Sequence, residues 1–258
     1  MIYEAAKKVK KTTLMKIFLR SFFIHTTLNF RRMQNLGFTM AIIPLIREWR
    51  LQQRDSERML TMHLQMFNTN PYFSASVIGS VVRLEEEQAG KGDALDIPPI
   101  KQSLMGSYAA IGDIFFWGAL RPFASIIAVI IAYMGLILAP IAFLLIYTPA
   151  HFWIRLKGFI EGYRQGKKGF EFIRSLDLPR VAVKIRWLSL IVLAGSVIWL
   201  SCYGCWPFIK TYSVIMKLTA MAVVLLCLLL IKKGISQVYI IYGAVVIFLL
   251  ISWTGFIN

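Results

Sequence analysis

The sequence is short of acid. Thirteen Asp or Glu stand against 29 Lys or Arg, which leaves a formal net charge of +16. Cysteine is scarce, with three. Cys202 and Cys205 form a C-x-x-C, but inside the apolar run LSCYGCWPF, and Cys227 sits alone in another. A redox motif expects a βαβ surrounding and a zinc site expects a second ligand pair. Neither follows, so the thiols read as packed side chains near a membrane boundary, and no metal or other cofactor is expected. Period-two alternation is absent, and the apolar runs are too long for strands. The N-terminal stretch has no clean apolar segment followed by a small-residue cleavage site, so no cleaved signal peptide is expected. The segment Gly162 to Gly169, GYRQGKKG, fails as a phosphate loop. Its glycines lack the required spacing, and Lys168 stands where a hydroxyl belongs. His25 and His151 are isolated, and no nucleophile with a competent base can be named, which argues against a membrane-embedded hydrolase.

What is present is apolar residue in bulk. The chain is 57% hydrophobic, with a mean hydropathy of +0.63. Such values belong to membrane proteins. The basic excess has no zinc spacing, no recognition-helix pattern and no groove of interleaved aromatics, so nucleic acid is not an expected partner. The cations cluster between apolar spans instead, as they do in cytoplasmic loops.

In chain order, residues 1–58 hold twelve Lys or Arg against four acids. Lys7, Lys8, Lys10, Lys11, Lys16 and Arg20 interleave with Val9, Leu14, Ile17, Phe18 and Phe22, which is the pattern of an amphipathic helix on an anionic membrane surface. A second helix is expected from Asn29 to Gln53, too short in its apolar part to span, kinked at Pro44, and embedded or re-entrant. Residues 59–149 form a motif-bearing embedded core. It has a helix to Phe67, a break at Asn70-Pro71, a helix through Ser74 to Glu87, a loop over Gly90 to Pro99, and a first long span over Phe123 to Tyr147. That span is 25 residues without a charge, with Gly135 and Pro140 as candidate points for a break or kink. Residues 150–186 read as a basic cytoplasmic loop. Residues 187–258 hold the last apolar runs, Trp187 to Ile209, Ser213 to Ile231 and Ile235 to Ile257. The expected fold is an all-α integral membrane protein, with N-terminal amphipathic or re-entrant helices followed by about four transmembrane helices.

Three polar constellations stand out. In Lys101 to Pro122, Asp113 and Arg121 lie eight residues apart in apolar and aromatic sequence, close to one helical face. A charged pair there is either a functional site or a staple between segments. Gly106, Gly112 and Gly118 suit close packing or a break near a polar cavity. In His63 to Pro71, HLQMFNTNP, the polar groups of His63, Asn68 and Asn70 make either a hydrogen-bonding platform for a polyhydroxylated ligand or a capped helix end. In Glu85-Glu86-Glu87, consecutive residues cannot share one face. One carboxylate can look into a cavity while another is solvated.

Taken together, NFRRMQNLGF (Asn29 to Phe38), HLQMFNTNP with LEEEQ (Leu84 to Gln88), LMGSYAAIGDIFFWGALRP (Leu104 to Pro122) and GYRQG (Gly162 to Gly166) resemble the IID membrane subunit of the mannose/fructose/sorbose family of bacterial sugar phosphotransferase systems. The terminal LLIKKGISQVYIIYG is similar to the family's C-terminal end. Departures fall at Leu28, Arg31, Met66 and Gly106 to Ala110. The resemblance implies a multi-pass permease subunit of the bacterial cytoplasmic (inner) membrane. With a IIC membrane subunit it would pass a hexose-type sugar that a cytoplasmic IIB protein, supplied by IIA, phosphorylates. It implies that the phosphate-carrying histidines lie on other chains, so His63 is not a phosphorylation site. The polar lining expected on this chain is His63, Asn68, Asn70, Glu85, Glu86, Asp113 and Arg121, with Trp117 as a stacking face for a sugar ring. The alternative is a diverged IID that senses sugar or scaffolds phosphotransferase proteins.

Overall fold

The computed structural model describes residues 8–91 and 97–202, then 222–223, 226–227, 229–230 and 233–253. Helices follow one another almost without interruption. They are α1 (Lys11–Ser21), α2 (Asn35–Trp49), α3 (Gln53–His63), α4 (Ser74–Lys91) and α5 (Ile97–Gly112), a π-helical segment (Asp113–Leu120), α6 (Arg121–Tyr133), α7 (Ala139–Gln165), a 3₁₀ turn (Gly166–Lys168), α8 (Gly169–Ser175), α9 (Leu178–Cys202) and α10 (Gln237–Trp253). Among the described residues β-structure is confined to two isolated bridges, Asn29 with Met33 and Met33 with Phe67. The chain divides into a unit up to Ala194 and a second from Gly195, which contains α10.

The first unit is built around the crossing of α4 and α7. Small residues make it possible. A methyl group at Gly158 would strike the Ser76 side chain, one at Gly162 the Ser76 carbonyl, and one at Gly79 the Phe159 carbonyl. Backbone therefore lies against backbone, as small residues four apart permit between apolar helices. Gly166, at the end of GYRQG, closes α7 with a φ of +56°, a left-handed cap that favours glycine. This motif is accounted for by packing and helix termination.

Above the crossing sit large fully buried side chains: Phe38 from α2, Phe73 and Ile78, Tyr108 from α5 and Phe116 from the π segment. Phe38 and Phe67 have ring centroids 4.6 Å apart, and Phe73 stacks on Tyr108 at 5.5 Å. Such pairs add about 0.5–1.5 kcal/mol each beyond the area they bury.

The sequence expectations need correction in several places. The second helix begins at Asn35, not Asn29, because Asn29 and Met33 exchange backbone hydrogen bonds at 3.0 and 2.9 Å in a tight turn with Met33 at φ +56°. Phe123 to Tyr147 is not one helix, and its break falls at Gly135 and Pro140. The helix stops at Tyr133, turns, and restarts at Ala139 with Pro140 in its first turn. The continuous helix Ile97–Tyr133, 37 residues with a mean hydropathy of 2.0 in its most apolar window, is the one among the described residues long and apolar enough to cross a membrane. The glycine-spaced stretch does not break it. Residues 150–186 are not a loop but the second half of α7, α8 and the start of α9, joined by short turns. The expected loop at Gly90 to Pro99 lies partly outside the described residues, with α5 starting at Ile97. Cys205 and most of Ser213 to Ile231 also lie outside them.

Candidate functional site

The site forms where the π-helical segment meets the turn after α3. Pro122 has no N–H, and its ring would meet the carbonyl four residues back, that of Gly118. The helix widens just before it, and the Arg121 N–H reaches back five residues to the Phe116 carbonyl. Gly118 O accepts instead from Arg186 Nε of α9 at 2.8 Å, and Arg186 Nη2 reaches Ile114 O at 3.4 Å. Single π turns of this kind recur at functional sites.

Asp113 opens the π segment. Its Oδ1 accepts from Asn70 Nδ2 at 3.0 Å. Asn70 is held for this, since its own Oδ1 accepts the Tyr72 N–H at 3.1 Å, an Asx turn that leaves the amide NH₂ pointing outward. Gly112 completes the fit, because a methyl group there would overlap the Asn70 side chain. Asp113, Trp117 and Arg121 then follow at four-residue steps, all exposed. The Arg121 guanidinium lies over the Trp117 ring, 5.3 Å from its centroid. Among the described residues Asp113 and Arg121 make no ion pair, because Trp117 stands between them. Asp113 instead ties its segment to the Asn70 turn, 43 positions away in sequence.

Behind this ridge stands an aromatic wall. The Tyr72 ring lies 4.5 Å from Phe116 and 5.7 Å from Trp117, and Tyr147 donates its hydroxyl to that of Tyr72 at 2.9 Å. Arg155, buried in α7, donates to Pro71 O at 2.7 Å and to Ser21 O at 3.2 Å, and stacks over Phe22 at 4.4 Å. It fixes the Asn70-Pro71 turn from below. A carboxylate, an indole face and a guanidinium on one ridge can accept from, stack on and donate to a polyhydroxylated ring.

The other expected site residues lie elsewhere. His63 and Glu85 are 0% and 1% exposed and form a pair, His63 Nε2 to Glu85 Oε1 at 2.8 Å. Burial lowers the His63 pKa below its usual value, against the opposing pull of Glu85. Lys101, also buried, donates to His63 O at 3.1 Å and sits 4.0 Å above the Phe38 ring. Glu86 is consumed by structure. It accepts the Val9 N–H at 2.8 Å, the Tyr163 hydroxyl at 2.9 Å and Arg83 Nη1 at 3.1 Å. Asn68 is exposed, and its backbone N–H meets the Met105 sulfur at 2.9 Å.

Several residues at the site escaped sequence reasoning. Gln34 clasps Thr69, donating to Thr69 O at 2.8 Å and accepting from Thr69 N–H at 3.2 Å. Thr69 in turn donates to Met105 O at 3.1 Å. Tyr72, Arg155 and Arg186 were likewise missed, as was Lys101 beside His63. A lone cation inside PAHFWIRL was the available signal for Arg155.

The model of the "PTS system mannose/fructose/sorbose family IID component" matches residues 8–202. The chain belongs to this family. The mannose-specific EIID component of Escherichia coli (strain K12) is 34% identical over 163 residues, 62% of this chain and 58% of that protein. The chain thus matches less than two thirds of that relative's length. The fructose permease IID component of Bacillus subtilis (strain 168) is 27% identical over 279 residues, covering 98% of this chain and 99% of the relative. Among solved structures, one described as a membrane protein superposes with a TM-score of 0.72, at 26% identity over 97% of both chains. Another, the mannose transporter ManYZ in complex with microcin E492, does so with a TM-score of 0.59 at 26% identity, again over 97% of both.

Proposed function

We propose that this IID chain is one half of a sugar permease. Together with a homologous IIC membrane subunit it forms a path by which a hexose-type sugar crosses the bacterial cytoplasmic membrane, to be phosphorylated by a cytoplasmic IIB protein that IIA recharges. The observation that supports a role for this chain in the path is the ridge of Asp113, Trp117 and Arg121, braced by Asn70. Its helix is the one long and apolar enough to cross a membrane among the described residues. Polar groups beside an irregular helix in apolar surroundings are where transporters bind substrate. Asn68, exposed and two residues before Asn70, is proposed as a further contact. His63, Glu85 and Glu86 are proposed to support the lining from inside. In this reading the chain is multi-pass, with about four crossing helices, amphipathic α1 along the membrane surface and the basic residues of 150–186 toward the cytoplasm.

The test is labelled-sugar uptake in cells lacking a mannose-type permease. This chain is expressed alone, with IIC, and with IIC, IIA and IIB. Uptake confined to the full set supports the proposal, and a panel of hexoses then identifies the substrate. No uptake of any sugar, with a stable complex with IIC still isolated, would reject transport in favour of a sensing or scaffolding role.

A further inference from the structure

Helices α1 and α2 pack together and line a half-open cavity of about 480 Å³, well apart in sequence from the Asp113 ridge. Lys10, Lys16, Arg20 and Arg47 line it, with the Thr12 and Thr13 side chains and one carboxylate, Glu48. Glu48 Oε1 accepts the Lys10 backbone N–H at 3.1 Å and its Oε2 has no hydrogen-bond partner among the described residues, so the lining carries four cations against one carboxylate. Arg20 is positioned by donating Nη1–H to Met40 O at 3.1 Å. Among the described residues, none of the four cations is in an ion pair. Four like charges around one cavity repel one another, and an anion with several acceptor oxygens relieves that repulsion with charge-assisted hydrogen bonds.

The neighbouring surface narrows the choice of anion. Met15, Leu19 and Phe23 are 56%, 54% and 64% exposed. Met15 and Leu19 on α1, with Phe23 in the turn just after it, are four residues apart and lie on the side of the helix next to the face that carries Lys16 and Arg20. A soluble anion has no use for these apolar side chains, whereas a lipid has a charged head and apolar tails. We propose that the α1–α2 cavity binds the phosphate headgroup of an anionic phospholipid, whose acyl chains lie along Met15, Leu19 and Phe23. The site is independent of the sugar path, so either can fail without the other.

Native mass spectrometry of the full-length protein in detergent, offered phosphatidylglycerol or phosphatidylcholine, tests this. The unaltered protein is expected to retain phosphatidylglycerol in preference. Lys16→Gln with Arg47→Gln should lower that retention about tenfold or more. Lys157→Gln with Lys184→Gln, which removes the same charge outside the cavity, should leave it unchanged. Lys10→Gln with Lys16→Gln provides a second cavity pair should the first not be recovered folded. Equal retention by cavity and control variants, equal retention of the two lipids, or displacement of the lipid by millimolar inorganic phosphate would each overturn the proposal.

Discussion

Asn70 decides the geometry of the candidate site with one amide, its oxygen on the Tyr72 N–H and its nitrogen on Asp113. This separates the charge of Asp113 from its acceptor role. In Asp113→Asn the side-chain oxygen still accepts from Asn70, so the turn stays in place while the charge is gone. We expect sugar uptake to fall about tenfold or more, the worth of a hydrogen bond to a charged group, with assembly with IIC intact. Unchanged uptake would remove Asp113 from the sugar path. His63 gives a second residue-level expectation. Its pKa is lowered in the folded protein, so below about pH 6.5 the unfolded chain binds more protons than the folded one. Stability is then full above that pH and falls as pH drops through the folded pKa. His25 shifts the same way, through burial and then the charge of Arg155, and adds to the slope. In His63→Gln, whose amide can still donate to Glu85, the loss of melting temperature between pH 7.5 and 5.5 should be smaller than in the parent. An identical loss would mean that His63 contributes nothing to it. The sequence disclosed that these residues are polar in apolar surroundings, but not their partners. His63 and Glu85 are 22 positions apart, and Asn70 and Asp113 are 43 apart. Only the fold closes such distances. Asp113 and Arg121, near enough in sequence to suggest a pair, are parted by the indole between them.

Helices were legible where periodicity or uncharged length marks them, and misjudged where charge count was used instead. Residues 150–186 are rich in cations, which argued for a loop. The same stretch carries Gly158, Gly162 and Gly169 on its inner side, and that face, not the average composition, sets its structure. Adding even one methyl group at Gly162 forces α7 away from the Ser76 backbone. Gly162→Ala is expected to cost about 1–3 kcal/mol, as overpacking does, read as a lower melting temperature in detergent. The π segment was invisible, because no residue pattern announces it; Pro122 is its local cause. This makes Arg186 and Pro122 a coupled pair. Arg186→Ala leaves the Gly118 carbonyl without its side-chain donor and should cost about 1 kcal/mol. In a Pro122→Ala background, where residue 122 regains an N–H, the same change should cost much less. Strict additivity in that double-mutant cycle would mean that Arg186 does not replace the bond Pro122 removes.

At the scale of the molecule, the blocks that carry the family resemblance converge in space. Gln34 meets Thr69, Thr69 meets Met105, Asn70 meets Asp113, and His63 meets Glu85. These contacts join the blocks to one another, and much of the remaining surface is apolar. Val129, Tyr133, Ile137, Leu138, Leu145 and Ile191 of the first unit are 45–92% exposed, and so are Tyr239, Ile241, Tyr242, Val246 and Leu249 of α10, at 53–74%. Soluble monomers rarely leave so many large apolar side chains exposed on either unit, and lipid or a partner has to cover them. The two covers behave differently on extraction. A chain held at the membrane by its charges alone, or by a peripheral partner, leaves the membrane in high salt or alkaline carbonate. One whose apolar surface contacts lipid stays until detergent is added. Expressed without the IIC subunit proposed as its partner, this chain is expected to sediment with membranes through both washes and to dissolve only in detergent. Release by either wash would mean that its apolar surface is covered by protein rather than by lipid, and that the about four crossings proposed for it do not exist in the isolated subunit.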